Sequence, residues 1–145
     1  MRILICGSRN WKEEDVLPEF RIETYIKTLP SNAVIILGDA PGADTIAARI
    51  ARERGHTVIE FEADWDKYGD AAGPIRNQKM LDFGVDRVAA FHEDIVNSVG
   101  TKDMLAKARK AWVPVQVFNA SGPHQTELKT PPPPRGRMCG SDGIY

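Results

Sequence analysis

Residues that favour phosphate chemistry follow several short apolar runs of this sequence. Gly7, Ser8 and Arg9 follow the first run. A glycine lets the backbone approach a ligand closely, a serine offers a hydroxyl group, and an arginine presents a planar fork of donors to phosphate. A surface turn with a solvated arginine explains this tripeptide equally well. The tripeptide therefore gains meaning only together with similar segments elsewhere in the chain.

A second such segment begins at Gly38 and leads into a predicted helix. Gly38, Asp39, Gly42 and Ala43 are small or turn-forming residues that would leave backbone amides pointing outward. The partial positive charge of the helix N-terminus adds to these amides, so the segment predicts an anion site. It matches neither the Walker pattern nor the dinucleotide GxGxxG pattern. Asp44 has two open interpretations, a helix N-cap or a partner for a ribose hydroxyl.

Two further segments have the same character. Trp65 lies in a long connection, where it could stack on a base or simply anchor the loop to the core. Arg76 and Asn77 fall in the first turn of a helix predicted to start at residue 74. The helix dipole disfavours a cation there, so Arg76 indicates a bound anion or a carboxylate partner. Gly100 and Thr101 open the last predicted helix and supply amides and a hydroxyl.

Short β-branched runs alternate with helical stretches, which predicts an α/β fold: a three-layer sandwich with a five-stranded, mainly parallel sheet and helices on both faces. The strands are predicted at residues 2–6, 33–37, 57–61, 86–91 and 114–118, with the first, second and fourth in the centre. The helices are predicted from 14–18 to 29, 43 to 54, 74 to 84 and 100 to 112, the last one burying Trp112. Ligands of such sheets bind beyond the carboxyl ends of the strands, where all four segments lie.

Composition limits the remaining possibilities. The 145 residues fit one domain, predicted over 1–118, followed by a Pro/Gly-rich tail over 119–145 that we expect to be disordered. A formal net charge of −1 gives no basic field to attract nucleic acid, so a nucleic-acid partner is not expected. The sequence lacks a signal peptide and a membrane-spanning apolar stretch, which predicts a cytoplasmic protein without a membrane partner.

No metal or cofactor is expected. The two cysteines, Cys6 and Cys139, belong to no CxxC motif, and Cys6 at a strand end is predicted to lie in the core. The three histidines, His56, His92 and His124, have no metal-ligand spacing.

Taken together, the segments resemble the YspA (cpYpsA-related) family of the SLOG superfamily. The similarity spans residues 1 to about 118 and rests on GSRNW from Gly7, GDAPGAD from Gly38, ADW ending at Trp65, AGPIRNQKM around Arg76, and GT at Gly100. The resemblance implies a Rossmann-like fold and a pocket for a nucleotide or a nucleotide-derived small molecule. Because superfamily members commonly pair through helices, a homo-oligomer is also implied as an open alternative.

The superfamily includes the LOG enzymes, which cleave the N-glycosidic bond of nucleoside monophosphates with an arginine and a glutamate. The stretch from Arg76 to Met80 is similar to their first motif, and Gly100–Thr101 is similar to part of their second. Met104, however, stands where that motif has its glutamate. A thioether can neither stabilise an oxocarbenium ion nor activate water.

Three functional hypotheses follow from these residues. The first is a module that senses or sequesters a nucleotide-derived molecule without converting it. The second is a hydrolase of an N-glycosidic or phosphate-ester bond that uses a different acid, for which Asp39, Asp44 and Asp103 are candidates. The third, single-stranded nucleic-acid binding, is disfavoured by the near-neutral charge. No catalytic residue is assigned.

Overall fold

The computed structural model describes residues 1–12 and 14–119 and the backbone of residues 125–128. Its six strands, numbered in chain order, form one sheet in the order β3-β2-β1-β4-β5-β6. The strands are β1 (Arg2–Gly7), β2 (Val34–Gly38), β3 (Thr57–Phe61), β4 (Arg87–Phe91), β5 (Val115–Phe118) and β6 (Gln125–Leu128). Neighbours among β1 to β5 pair in parallel, whereas β6 pairs antiparallel with β5.

Helices cover both faces of this sheet. They are α1 (Val16–Lys27), α2 (Ala43–Glu53), the single-turn α3 (Trp65–Tyr68), α4 (Ala72–Phe83) and α5 (Gly100–Lys110). Helices α1 and α2 pack on one face, and α4 and α5 pack on the other. The predicted α/β three-layer, Rossmann-like sandwich is confirmed. The order of the strands reverses direction between β1 and β4, which is the place where open parallel sheets bind ligands.

The central strands are buried because their residues are apolar on both faces. Ile3, Leu4 and Ile5 of β1 have no solvent exposure. Ile3 and Ile5 pack beneath α1 and α2, and Leu4 packs beneath α4 and α5. The predicted central position of the first, second and fourth strands is therefore confirmed, and the burial fixes the register of the strands that hold the loops.

The structure corrects several predicted elements. Helix α4 starts at Ala72, not at residue 74, because a 3₁₀ turn over Gly69–Ala71 leads directly into it. Helix α3 was not predicted; the Asp64 side chain caps it by accepting a hydrogen bond from the Lys67 amide at 3.1 Å. Trp112 is only half-buried, since α5 ends at Lys110 and Trp112 adopts a φ of 61° in the turn that follows.

Strand β6 was not predicted either, because it lies within the stretch assigned to the tail. The rest of the predicted tail, residues 120–124 and 129–145, lies outside the described residues, as does His124. Within the described part of the chain, no helix has the length and apolar character needed to cross a membrane.

Candidate functional site

The loops after β1 and β2 are joined directly by backbone hydrogen bonds. The Ala43 amide donates to the Ser8 carbonyl oxygen at 2.9 Å, and the Ser8 amide donates to the Phe91 carbonyl oxygen at 2.8 Å. A Cβ on Gly42, whose φ is +84°, would overlap Ser8, and a Cβ on Gly7 would overlap Phe91. These two glycines are thus required for backbone packing. The Ala43 amide, predicted to point outward, is already used within the protein.

Arg76 reaches from α4 over the end of β2. A Cβ on Gly38 would lie 2.5 Å from Arg76 Nη1, so only a glycine leaves room for the guanidinium. Arg76 Nη1 donates to Asp39 Oδ1 at 3.0 Å, and Nε donates to Asn77 Oδ1 at 3.2 Å. The side chain is only 8% exposed. Because α4 starts at Ala72, Arg76 is its fifth residue, so the prediction that it lies in the first turn is wrong; its carboxylate partner is Asp39.

Asn77 connects this arginine to the start of α5. Its Nδ2 donates to the Gly100 carbonyl oxygen at 3.3 Å and to Asp103 Oδ2 at 3.0 Å. Asp103 also forms an ion pair with Lys107 at 2.5 Å. Thr101, which follows Gly100 in α5, is buried. A continuous polar network therefore links the end of β2, helix α4 and the N-terminus of α5.

Asp44 is a buried carboxyl group beside the arginines. It is the second residue of α2, and the N-cap position is occupied by Gly42, so the N-cap interpretation of Asp44 is wrong. The residue is 6% exposed, and its Oδ1 has no hydrogen-bond partner among the described residues. Burial raises the pKa of Asp44 from 3.8 to about 7, although Arg76 and, more weakly, Arg9 favour the charged form.

Trp65 lies at the outer side of this cluster. Its ring is 44% exposed, packs against Gly73 on one side, and has the Arg9 guanidinium 5.6 Å from its centroid. The tryptophan therefore anchors the loop only in part. The exposed remainder and the arginine form a surface on which a planar group can stack.

A cleft of about 260 Å³ opens at the carboxyl ends of β1 and β4, where the strand order reverses. Ser8 is the predicted ligand residue that lines it, together with Trp11 and His92. His92 Nδ1 accepts a hydrogen bond from the Asp94 amide at 2.9 Å, and burial lowers the pKa of His92, so the ring is neutral with its proton on Nε2. Trp11 Nε1 is buried without a partner among the described residues.

The structure thus brings the four predicted segments to one edge of the sheet, through contacts between Ser8 and Ala43, Gly38 and Arg76, Asn77 and Gly100, and Arg9 and Trp65. The cleft at the strand reversal is formed by a different part of the loops. The sequence analysis did not select Trp11 or His92 as residues of this cleft. The available signal was position, since each follows a central strand, but His92 was considered only as a metal ligand and Trp11 only as part of the GSRNW motif.

Met104 lies in the apolar core, and Cys6, which is partly buried, packs against the same cluster. Met104 of α5 is fully buried in the same apolar cluster as Leu4 and Val88, so it acts in packing. Burial raises the pKa of the Cys6 thiol well above its ordinary value, which makes the thiol a poor nucleophile. Across the described residues, His, Cys, Asp and Glu side chains form no cluster that could hold a metal ion.

Comparisons with known proteins agree with this architecture. A family model described as "YspA, cpYpsA-related SLOG family" matches residues 1–68, which include the loops after β1 and β2 and Trp65. The chain is also similar to the Gene 61 protein of Mycobacterium phage D29, with 37% identity over 122 residues that cover 81% of this chain and 95% of the phage protein.

Proposed function

Because this chain belongs to the YspA, cpYpsA-related SLOG family, we propose that it binds a nucleotide or nucleotide-derived small molecule at the carboxyl edge of its sheet. In this proposal the protein senses or sequesters the molecule. Family membership is consistent with nucleotide-related binding or processing, and the chemistry at the sheet edge favours a ligand that contains phosphate and ribose.

The observation on which the proposal rests is the buried guanidinium of Arg76. Within the described part of the chain, its hydrogen bonds use Nε and Nη1, which leaves the Nη2 donors for a ligand. A buried guanidinium with free donors is a strong site for a phosphate oxygen. Arg9 supplies a second positive charge, since its charge also acts on Asp44. Arg9 lies in the loop after β1 and Arg76 in helix α4, so a phosphate between them would be held from two sides.

The remaining parts of a nucleotide also have partners. The unpartnered Oδ1 of Asp44 can accept a hydrogen bond from a ribose hydroxyl, which satisfies a buried oxygen. The exposed ring of Trp65 can stack on a base. Phosphate, ribose and base would therefore each meet one chemically matched group.

The proposal is tested by isothermal titration calorimetry of the full chain with AMP, ADP-ribose and NAD. Arg76→Ala removes a charge-assisted contact worth ~1.5–3 kcal/mol, so we expect at least about tenfold weaker binding. Arg54→Ala, at an exposed position after α2, is the matched control and should keep the wild-type affinity. Equal affinities of the two variants, or no binding of any of the three ligands, would contradict the proposal.

The environment of Asp44 favours a second candidate, a hydrolase of the N-glycosidic bond with a non-standard acid. Asp39 is paired with Arg76, and Asp103 with Lys107 and Asn77. Asp44, in contrast, has one oxygen without a partner among the described residues and a pKa of about 7. A carboxyl group that keeps its proton near neutral pH can act as a general acid.

This candidate is separated from binding alone by incubating the protein with AMP and measuring released adenine by chromatography. Turnover that is lost in Asp44→Asn, but retained in Asp103→Asn, would establish hydrolysis with Asp44 as the acid. Calorimetric binding of AMP without release of adenine would leave the sensing or sequestering function.

A further inference from the structure

A second cleft shares no lining residue with the cleft at the strand reversal. Its volume is about 220 Å³, and it is formed between helix α1 and strands β4 and β5. Arg21, Thr24 and Tyr25 line it from α1, and Arg87 and Gln116 line it from the sheet. Arg87 is the first residue of β4, so the cleft reaches the amino end of a strand whose carboxyl end borders the site described above.

Two buried polar atoms in this cleft lack partners. Tyr25 is 6% exposed, and its ring is fixed by Phe91 and Phe118, with centroids at 5.8 Å and 5.1 Å. Its Oη has no hydrogen-bond partner among the described residues, and neither has Gln116 Oε1. Buried polar groups are normally satisfied by protein, water or ligand. A rigidly held hydroxyl whose proton has no acceptor among the described residues can therefore donate to water or to a bound group in the cleft.

The charge of the cleft determines which group fits. Arg21 Nε donates to the Asn119 carbonyl oxygen at 3.1 Å, which fixes the guanidinium, and its terminal nitrogens have no hydrogen-bond partner among the described residues. The Arg87 guanidinium faces Tyr25 Oη and acts on it both as a hydrogen-bond donor and as a positive charge, although the pair lies outside ordinary hydrogen-bond geometry. The proton of the Tyr25 hydroxyl is therefore left for a ligand. The residues that line the cleft include no aspartate or glutamate, and neither arginine has an ion-pair partner within the described ranges. Two partly exposed guanidinium groups at a cleft without acidic lining residues favour a negatively charged ligand.

We propose that this cleft binds a small oxyanion, either a phosphate or a carboxylate group. Its oxygens accept hydrogen bonds from Arg21, Arg87 and the Tyr25 hydroxyl, and a hydroxyl on the same ligand donates to Gln116 Oε1. The volume lies below the ~300 Å³ of typical drug-sized pockets, so the ligand is small. This site is separate from the proposed nucleotide site, since none of its lining residues belongs to the group formed by Arg9, Asp44 and Arg76.

Site-resolved NMR of the ¹⁵N-labelled full chain distinguishes the two sites. Inorganic phosphate is titrated in one arm and lactate, a carboxylate with a hydroxyl, in the other. We expect saturable shifts of the Thr24, Tyr25 and Gln116 amides in at least one arm, and the stronger arm identifies the oxyanion. The Gly42 and Ala43 amides report the strand-end site independently, so failure of one proposal does not obscure the other.

Variants then test the assigned contacts. Tyr25→Phe removes only the unpartnered hydroxyl, so we expect at least about fivefold weaker anion binding with an unchanged or higher melting temperature of the free protein. Arg87→Gln should weaken binding by at least about tenfold. Arg109→Gln, at an exposed position of α5 on the other face of the sheet, makes the same charge change and should leave affinity unchanged. Absence of saturable shifts at Thr24, Tyr25 and Gln116 in both arms, or wild-type affinity in Tyr25→Phe and Arg87→Gln, would overturn the proposal.

Discussion

Replacing Asp44 by asparagine separates the charge of this buried carboxyl group from its shape. The native-state pKa of Asp44 is raised from 3.8 to about 7, chiefly by burial. Between these two values the folded state holds a proton that the unfolded state has lost, so the stability contributed by Asp44 is present at low pH and is lost as the pH rises through about 7. A shift of about three units corresponds to ~4 kcal/mol, since each unit is worth ~1.36 kcal/mol.

Asparagine keeps the size and hydrogen-bonding groups of the protonated carboxyl group but does not ionise. Near pH 4 we therefore expect similar free energies of unfolding for the wild-type protein and Asp44→Asn. At pH 8 the variant should be more stable by up to about 4 kcal/mol, because it avoids a buried charge that Arg76 and Arg9 compensate only in part. The comparison cancels the titration of all other groups, which both proteins share.

Urea-induced unfolding, followed by tryptophan fluorescence at one-unit intervals from pH 4 to pH 8, measures this difference. The m-values of the two proteins should agree, so that the midpoints report stability alone. Asp66→Asn, which removes one formal charge at an exposed position, is the control. If the difference between wild type and Asp44→Asn stays constant from pH 4 to pH 8, the carboxyl group does not hold its proton into the neutral range, and its use as an acid is refuted.

Three further predictions concern single residues. Gly42→Ala should destabilise the protein by at least about 2 kcal/mol in urea unfolding, because Gly42 has a positive φ and a Cβ there would overlap Ser8. Gly100→Ala should change stability by less than about 1 kcal/mol, because a Cβ there meets nothing within 4 Å. Equal effects of the two substitutions would contradict the loop geometry. Met104→Glu, which places a carboxylate where the LOG enzymes have theirs, should lower the free energy of unfolding by at least about 3 kcal/mol. Met104→Leu should lower it by less than ~1.5 kcal/mol. An active and stable glutamate variant would disprove the packing role of Met104. Trp65→Ala should weaken AMP binding by ~1–3 kcal/mol in calorimetry while leaving ribose 5-phosphate unaffected, and an equal loss for both ligands would exclude base stacking.

Most of the fold was accessible from local patterns. The strand boundaries agree with the predictions to within about one residue, because a strand buried on both faces must be a continuous apolar run bounded by turn residues. The burial of Ile46, Ala47, Ile50 and Ala51 on α2 follows equally from helical spacing. Gly55 ends that helix with a φ of +85°, as its position after the last periodic residue predicts.

Elements defined by their neighbours were not accessible in this way. Helix α3 is joined to the earlier start of α4 by the 3₁₀ turn Gly69–Ala71, for which neither periodicity nor a proline gives a signal. Strand β6 forms because it pairs with β5, and its four-residue, largely polar sequence gives no indication of that pairing. The assignment of Gly42 and Ala43 to a ligand rested on residue type alone, and type does not show that another loop already uses the same backbone groups.

The sequence by itself determined the three layers, which strands are buried in the centre, and the edge of the sheet where the polar loops lie. Each of these depends on hydrophobic periodicity and on the common direction of parallel strands. Only the tertiary structure decided which groups remain free there. It pairs Arg76 with Asp39, fixes Ala43 against Ser8, and leaves an oxygen of Asp44 buried without a described partner. The physical reason is that hydrogen bonding and desolvation depend on distances between residues far apart in the chain, and those distances are set by packing.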